Sequence, residues 1–423
     1  MRTGKGRKTG EGKHVTKKSP WLVIIAVWLI LGCNSEPGPQ SKVFIKYYGK
    51  TGVDVASAAE PTKDGGFVLI GSTGSRDTLA NVERQMYVMK ADAYGIKSAE
   101  NIFGDISNSD GRALMQTDDG GFVFLGDFME ADKTTDIYLV KTDGNLIKQW
   151  ELTINIPNSN ERGFALTALP SGNYFVLGTV LTSDGTTEMI TAMITPDGKL
   201  YKSPAKPGLQ YRNDNVGKTV ALRSNGRVAW CGTQFRDHTG TDPGTSNIRI
   251  ILSTEDGVSD GGDFDYGRQK NDVAADIQKV HSGFTIVGTS EGLSGEGSKI
   301  ILLNTNEQGG LQWMKVLDKT PLAKEGNQTA GSVYPTRDGG YIIVGTTDQS
   351  LYQNQEGQNI YLIKTNGVGE TEWEEIYGGR GRDEAGMVRE TADGGFLITG
   401  TIDFNGDLTM CLIKTNSRGK LIN

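Results

Sequence analysis

The stretch Thr336-Arg337-Asp338-Gly339-Gly340-Tyr341-Ile342-Ile343-Val344-Gly345-Thr346-Thr347 decides the fold. Asp-Gly supplies the positive φ of a tight hairpin. It delivers the chain into an aromatic residue, three apolar residues and a glycine, a run of the length of one β-strand. The unit returns along the chain. Aromatic-to-glycine runs stand at Phe67 to Gly71, Phe122 to Gly126, Tyr174 to Gly178, Phe284 to Gly288, Tyr341 to Gly345 and Phe396 to Gly400, and Val228 to Gly232 is a seventh copy without the aromatic. Their glycines lie 55, 52, 54, 56, 57 and 55 residues apart, the period of propeller blades and too long for ankyrin, tetratricopeptide or leucine-rich repeats.

Each unit divides into four β-type runs, A to D, with the aromatic run as strand B. Strand C (Ile137 to Lys141, Ile300 to Leu303, Ile360 to Lys364, Met410 to Lys414) is apolar on both faces, as a sheet sandwiched between neighbouring sheets must be. Strand D carries Trp150, Trp313 and Trp373. Beyond it a column of Gly104, Asn155, Gly208, Gly267, Asp318 and Gly378 holds residue types that tolerate a left-handed backbone. The last copy ends at Gly419 to Asn423, where its strand D should begin, whereas Phe44 to Tyr48 and Gly49 match Trp373 to Gly378 in spacing. The pattern therefore predicts an all-β, seven-bladed β-propeller over 43–423, with four-stranded blades and the N-terminal strand closing the last blade, so that no sheet edge is open at the seam.

Composition excludes other classes. With 36% hydrophobic side chains the chain can fill a core, and its 58 glycines have no three-residue period, which excludes collagen. Three histidines and three cysteines leave no basis for a structural zinc site, a haem site or a disulfide framework. Cys231 and Cys411 fall in separate blades and read as unpaired thiols. No metal or other cofactor is expected, and calcium finds no DxDxDG string.

The N-terminus reads as an address. Residues 1–20 hold seven basic side chains against Glu11, and Trp21 to Leu31 is an unbroken apolar run of eleven, the form of a secretory signal. The run ends Ile30-Leu31-Gly32-Cys33, which resembles the bacterial lipobox and implies a signal over 1–32, a lipidated Cys33 and a tether over 33–42. Removal of 1–32 leaves 37 basic against 50 acidic residues and a net charge of −13. Such a surface repels nucleic acid and anionic lipid headgroups, so contact with the membrane is expected through the anchor alone.

The Asp-Gly-Gly-aromatic, Gly-Thr-Thr and Leu-Ile-Lys-Thr-Asn signature resembles the DGGF/GTT-type repeat propellers of exported bacterial proteins, and kelch, WD40 and quinoprotein propellers in outline only. Asn306 to Trp313 and Asn366 to Trp373 are similar to the quinoprotein docking motif but one residue short, so no quinone is implied. The resemblance covers the mature chain and carries architecture without function.

The B-to-C interval varies from 14 to 21 residues while the A-to-B turn scarcely varies, which gathers variable loops on one face and marks it as the expected binding face. There the polar residues opening strand A (Asp54, Ser109, Glu161, Asn215, Asn271, Gln328 and Asp383) are read either as a collar round the channel mouth or as caps of their own turns. The longest loops offer Arg76, Phe235, Arg236, His238 and Tyr352 as contact residues. Without a His-based triad or a distinctive carboxylate pair, the sequence is read as a non-catalytic module for a protein or glycan partner at the bacterial outer membrane or cell surface. The alternatives are a glycan-active enzyme using channel-mouth carboxylates and an outer-membrane assembly-complex lipoprotein, the latter resembling an eight-bladed ring.

Overall fold

The computed structural model describes residues 43–422 apart from 51, 75–83, 105–107, 131–133, 184, 206–214, 237–244, 269–270, 292–296, 319–325, 350–356 and 405. Over that range the protein is a seven-bladed β-propeller of seven four-stranded antiparallel sheets, six of them in the order A-B-C-D along the chain. The A strands are Val53–Pro61, Ser109–Gln116, Asn160–Ala168, Asn215–Leu222, Asp272–Val280, Gln328–Pro335 and Glu384–Glu390. Each packs against the A strand on either side, and the first touches the last, so strand A is innermost and the ring is closed.

The seam is built as its spacing requires. Phe44–Tyr48 is the outermost strand of blade seven and pairs antiparallel with Asp407–Lys414, Phe44 opposite Lys414 and Tyr48 opposite Met410. Packing joins the same ends: Leu397, Met410 and Leu412 of blade seven form one buried cluster with Ala56, Leu69, Tyr87 and Met89 of blade one. Burial of such side chains stabilises the ring by about 1.5–3 kcal/mol each.

The structure shows why the repeat reads as it does. In the A-to-B turn Gly339 has φ +84°, and a Cβ on Gly340 would fall on the Thr365 carbonyl oxygen; the first glycine is needed for its backbone and the second for close approach. Asp338 accepts from Thr336 Oγ1 at 2.5 Å and from the Gly340 amide at 3.0 Å. It also pairs at 2.9 Å with Lys364, whose side chain is only 4% exposed. Lys90 with Asp64, Lys141 with Asp119 and Lys414 with Asp393 repeat the pair. The Asp-Gly-Gly and Ile-Lys-Thr signatures are thus two halves of one clamp between the A-to-B turn and the end of strand C.

The strand B glycine has a different cause. A Cβ on Gly71, Gly126 or Gly345 would fall on a carbonyl oxygen of strand A, and there every A strand breaks register, for example between Ala56 and Ala58 or Gly111 and Ala113. These are β-bulges. The residues they insert are Ser57, Arg112, Phe164, Lys218, Ala275, Gly331 and the pair Gly386-Met387.

One expectation needs refining. Gly104 and Gly378 have the positive φ read into the column after strand D, but Gly267 and Asn155 do not. What Gly104, Gly267 and Gly378 share is space: a Cβ would fall on Ser109, Asp272 and Asp383 respectively. The column records the insertion of the next blade's first polar side chain.

Candidate functional site

Those inserted side chains are the expected collar. Asp54, Ser109, Glu161, Gln328 and Asp383 are fully buried, so they do not ring an open mouth. Their oxygens tie together the connection from one blade to the next. Asp54 accepts the Lys50 amide at 2.8 Å, Asp383 the Gly379 amide at 2.6 Å and Glu161 the Ile156 amide at 3.2 Å. Ser109 accepts the Met86 amide at 3.1 Å from the preceding blade. Burial raises the pKa of Asp54, Glu161 and Asp383 above the ordinary carboxyl value. For blade five the correct residue is Asp272, fully buried opposite Ser290, because that blade's A-to-B turn is one residue shorter than the others and displaces the count onto Asn271. The Asn215 side chain lies outside the described residues.

Sequence reasoning missed the neighbouring column. Asn108, Asn160 and Asn327 each accept, through Oδ1, the first amide of strand C in the preceding blade (Arg84, Thr135, Ser298) at 3.0 Å, and Asn271 likewise accepts the second (Ser246) at 3.2 Å. Four asparagines, each directly before a collar position, were the available signal.

Of the proposed loop contacts, Arg76, His238 and Tyr352, and the side chain of Arg236, lie outside the described residues, as does Cys33. Phe235 is exposed at the end of strand B in blade four. Cys231 and Cys411 are buried free thiols, and burial pushes both well above the usual thiol range.

The ring does form a cleft on the predicted binding face, at the seam. A depression of about 470 Å³ is bounded by Ile45 and Tyr47 of the N-terminal strand, Tyr377 to Gly381, and Ile402 to Phe404 of blade seven. Tyr47 and Phe404 are both exposed and meet edge to face with ring centroids 4.9 Å apart. Arg380, also exposed, makes no ion pair among the described residues. Asp403 accepts the Gly406 amide on Oδ1 and, at 3.4 Å, the Arg382 amide on Oδ2. Burial, with Cys411 and Asp383 nearby, raises the Tyr47 hydroxyl pKa, so Tyr47 stays protonated and can donate. The cleft thus combines an aromatic platform, a guanidinium, a phenol and a carboxylate, of a size suited to a small ligand or one to two sugar units.

No family model and no curated protein sequence matches the chain. Solved structures do. An ulvan lyase, a polysaccharide lyase bound to a glucuronate–sulfated rhamnose chain, is 10% identical with a TM-score of 0.52, covering 89% of this chain and 96% of its own. An α-L-arabinofuranosidase from Fusarium graminearum (11% identity, TM-score 0.46, 87% and 98% coverage) and the extracellular domains of a Drosophila semaphorin (8%, 0.47, 88% and 86%) also match. At these identities the likeness is one of fold. It overturns the expectation that the chain is not an enzyme: a structure similar to this one belongs to a polysaccharide lyase, so scarce histidine and an unremarkable set of acids do not exclude catalysis.

Proposed function

We propose that the protein is a glycan-active propeller that takes an acidic saccharide into the seam cleft. The observation that carries this reading is the exposed Tyr47–Phe404 pair beside Arg380 and Asp403. Aromatic rings offer the apolar face on which a sugar's C–H groups pack, and a guanidinium matches a carboxylate or sulfate in planar, two-point geometry. For chain cleavage by elimination beside a uronate, Arg380 neutralises the carboxylate, Asp403 takes the proton on the adjacent carbon, and the Tyr47 hydroxyl protonates the departing oxygen. The ulvan lyase supports the reading only in that its fold carries such chemistry.

The test is a panel of uronate-rich and sulfated polysaccharides, read for binding, for new reducing ends and for the ultraviolet absorbance of an unsaturated uronate. Arg380→Ala should abolish binding, and Tyr47→Phe should keep binding while losing turnover. A panel without binding or product, or an R380A protein that behaves as wild type, refutes the assignment. Export and anchoring through Cys33, to the outer membrane or cell surface, are proposed with it on the strength of the charged, apolar and Gly32-Cys33 sequence at the N-terminus. Unchanged acyl labelling of Cys33→Ser would overturn the anchor.

A further inference from the structure

The inserted residues at the seven bulges are unequal. In blades two, three and four they are Arg112, Phe164 and Lys218; elsewhere they are Ser57, Ala275, Gly331 and Gly386-Met387. The three large ones meet across three consecutive blades. The Arg112 guanidinium carbon lies 5.3 Å and the Lys218 ammonium 5.4 Å from the centroid of the Phe164 ring. Residues of three successive innermost strands come together in this way only around the axis of the ring.

The two cations are not equivalent. Arg112 is neutralised by Asp127, with its Nε at 2.7 Å and Nη2 at 2.6 Å from Oδ2, and it also approaches Asp110 at 3.6 Å. Asp127 in turn accepts the Gly163 amide at 2.9 Å, so its charge is committed. Lys218 has the face of Phe164 and no ion pair or hydrogen bond of its side chain among the described residues. Burial and the nearby Arg112 both lower its pKa, the signature of an ammonium lacking a counter-charge.

The channel is also one-sided. Three positions further along the A strands, toward the A-to-B turns, Arg389 pairs with Glu60 at 2.7 Å and stacks 5.1 Å from the Tyr334 ring centroid. Beside this group Asp276 accepts from Ser332 Oγ at 2.8 Å, the Val333 amide at 3.1 Å and Thr219 Oγ1 at 3.0 Å. These carboxylates are engaged from their own side. The Lys218 group lies nearer the loop face that carries the seam cleft.

We infer that Lys218, backed by Phe164 and flanked by Arg112, forms an oxyanion site in the central channel, taking a sulfate or carboxylate group that enters from the loop face. A tetrahedral or planar oxyanion supplies the acceptors Lys218 lacks, and the small residues Ser57, Ala275 and Gly331 at three of the other bulges leave it room. The site uses no residue of the seam cleft, so it stands or falls independently of the function proposed above.

The test is calorimetric titration of the protein with inorganic sulfate, with glucuronate and with a sulfated disaccharide, on wild type and Lys218→Met. Methionine keeps the apolar stem over Phe164, and an unchanged melting profile shows that the ring is intact. Saturable binding of inorganic sulfate that falls at least tenfold in K218M is the expected result. Inorganic sulfate binding as tightly as the disaccharide assigns a free oxyanion, and a disaccharide preferred tenfold or more assigns a glycan substituent. Absence of saturable binding of all three probes to wild type, or equal binding by folded K218M, overturns the site. Should K218M fail to fold, Lys218→Arg decides: it must retain sulfate binding, and its loss overturns the proposal.

Discussion

Replacing Asp119 by alanine tests whether the clamp between turn and strand C holds the blades. Lys141 is 3% exposed; its ammonium pairs with Asp119 at 2.9 Å and, among the described residues, otherwise meets Gln149 Oε1 at 3.0 Å and the Thr142 carbonyl at 2.9 Å. Removing the carboxylate leaves a buried charge with two neutral acceptors. Breaking a wholly buried pair costs about 3–5 kcal/mol and a surface pair about 0–1 kcal/mol. Because Asp119 is 56% exposed, the charge contribution is discounted to about 2 kcal/mol. Loss of the bonds from Thr117 Oγ1 and the Gly121 amide adds about 1 kcal/mol, for roughly 3 kcal/mol in D119A. In a Lys141→Met background there is no ammonium to strand, and the same substitution should cost only about 1 kcal/mol. The double-mutant cycle is read by urea unfolding followed by tryptophan fluorescence. The pH dependence gives a second reading. The Thr117 hydroxyl and the Lys141 ammonium hold the Asp119 carboxyl at about 2, below its ordinary 3.8. A folded-state pKa below the unfolded one means that the contribution is complete above pH ~4 and is lost as pH falls toward 2. The gap between wild type and D119A must therefore narrow over that window. Additive single-mutant costs, or a gap that persists at pH 2, would refute the clamp.

Three further outcomes follow from packing. Ile45→Asp puts a charge opposite Ile413 in the seam strand, against the blade-seven cluster; it should cost about 2–3 kcal/mol and make the N-terminal strand the first site cut in limited proteolysis. Gly120→Ala should cost about 1–2 kcal/mol from its φ of +83° alone, since nothing lies within 4 Å of the added methyl, whereas Gly121→Ala drives a methyl into the Thr142 carbonyl and should cost clearly more; thermal melts of the pair check the order. Cys231 and Cys411, wholly buried with raised pKa values, should ignore a thiol reagent in the native protein and both react once it is unfolded.

The ring was legible because its determinants are local and repeated. Asp338-Gly339-Gly340 must be that triplet for backbone reasons, and Phe44 to Gly49 betrays its place by the spacing it shares with Trp373 to Gly378. The collar was half legible. Spacing found the polar positions, but a hydrophilic residue opening a strand looks the same whether it faces a channel or caps a connection between blades, and only burial separates the two. Counting from the turn also moved the blade-five position by one, since a shorter turn is invisible to a fixed offset. Arg112, Phe164 and Lys218 were illegible. Each sits beside the residue opposite a strand B glycine, where strict alternation assigns it to a sheet face, and only a bulge turns it toward the axis.

Charge explains why these two places stand out, and it carries one last prediction. The chain has a net charge of −7, so a polyanionic glycan approaching it is repelled over most of the surface. Most described cations are already spent: the clamp lysines on the turn aspartates, Arg389 on Glu60, Arg249 on Asp265. Arg380 and Lys218, like Lys46, Arg162 and Arg268, make no ion pair among the described residues; what sets them apart is their place, one at the seam cleft and the other in the channel. An acidic ligand can gain from them without displacing an internal partner. Such binding must weaken with salt, because the exposed guanidinium is screened within a Debye length of about 10 Å at 0.1 M. Raising the salt should act more strongly on the open Arg380 cleft than on the half-buried Lys218 site, and titrating K218M and R380A separately at low and high sodium chloride resolves the two. Saccharide binding that is indifferent to salt in both variants would mean that neither cation recognises the anion, and that the aromatic pair alone holds the sugar.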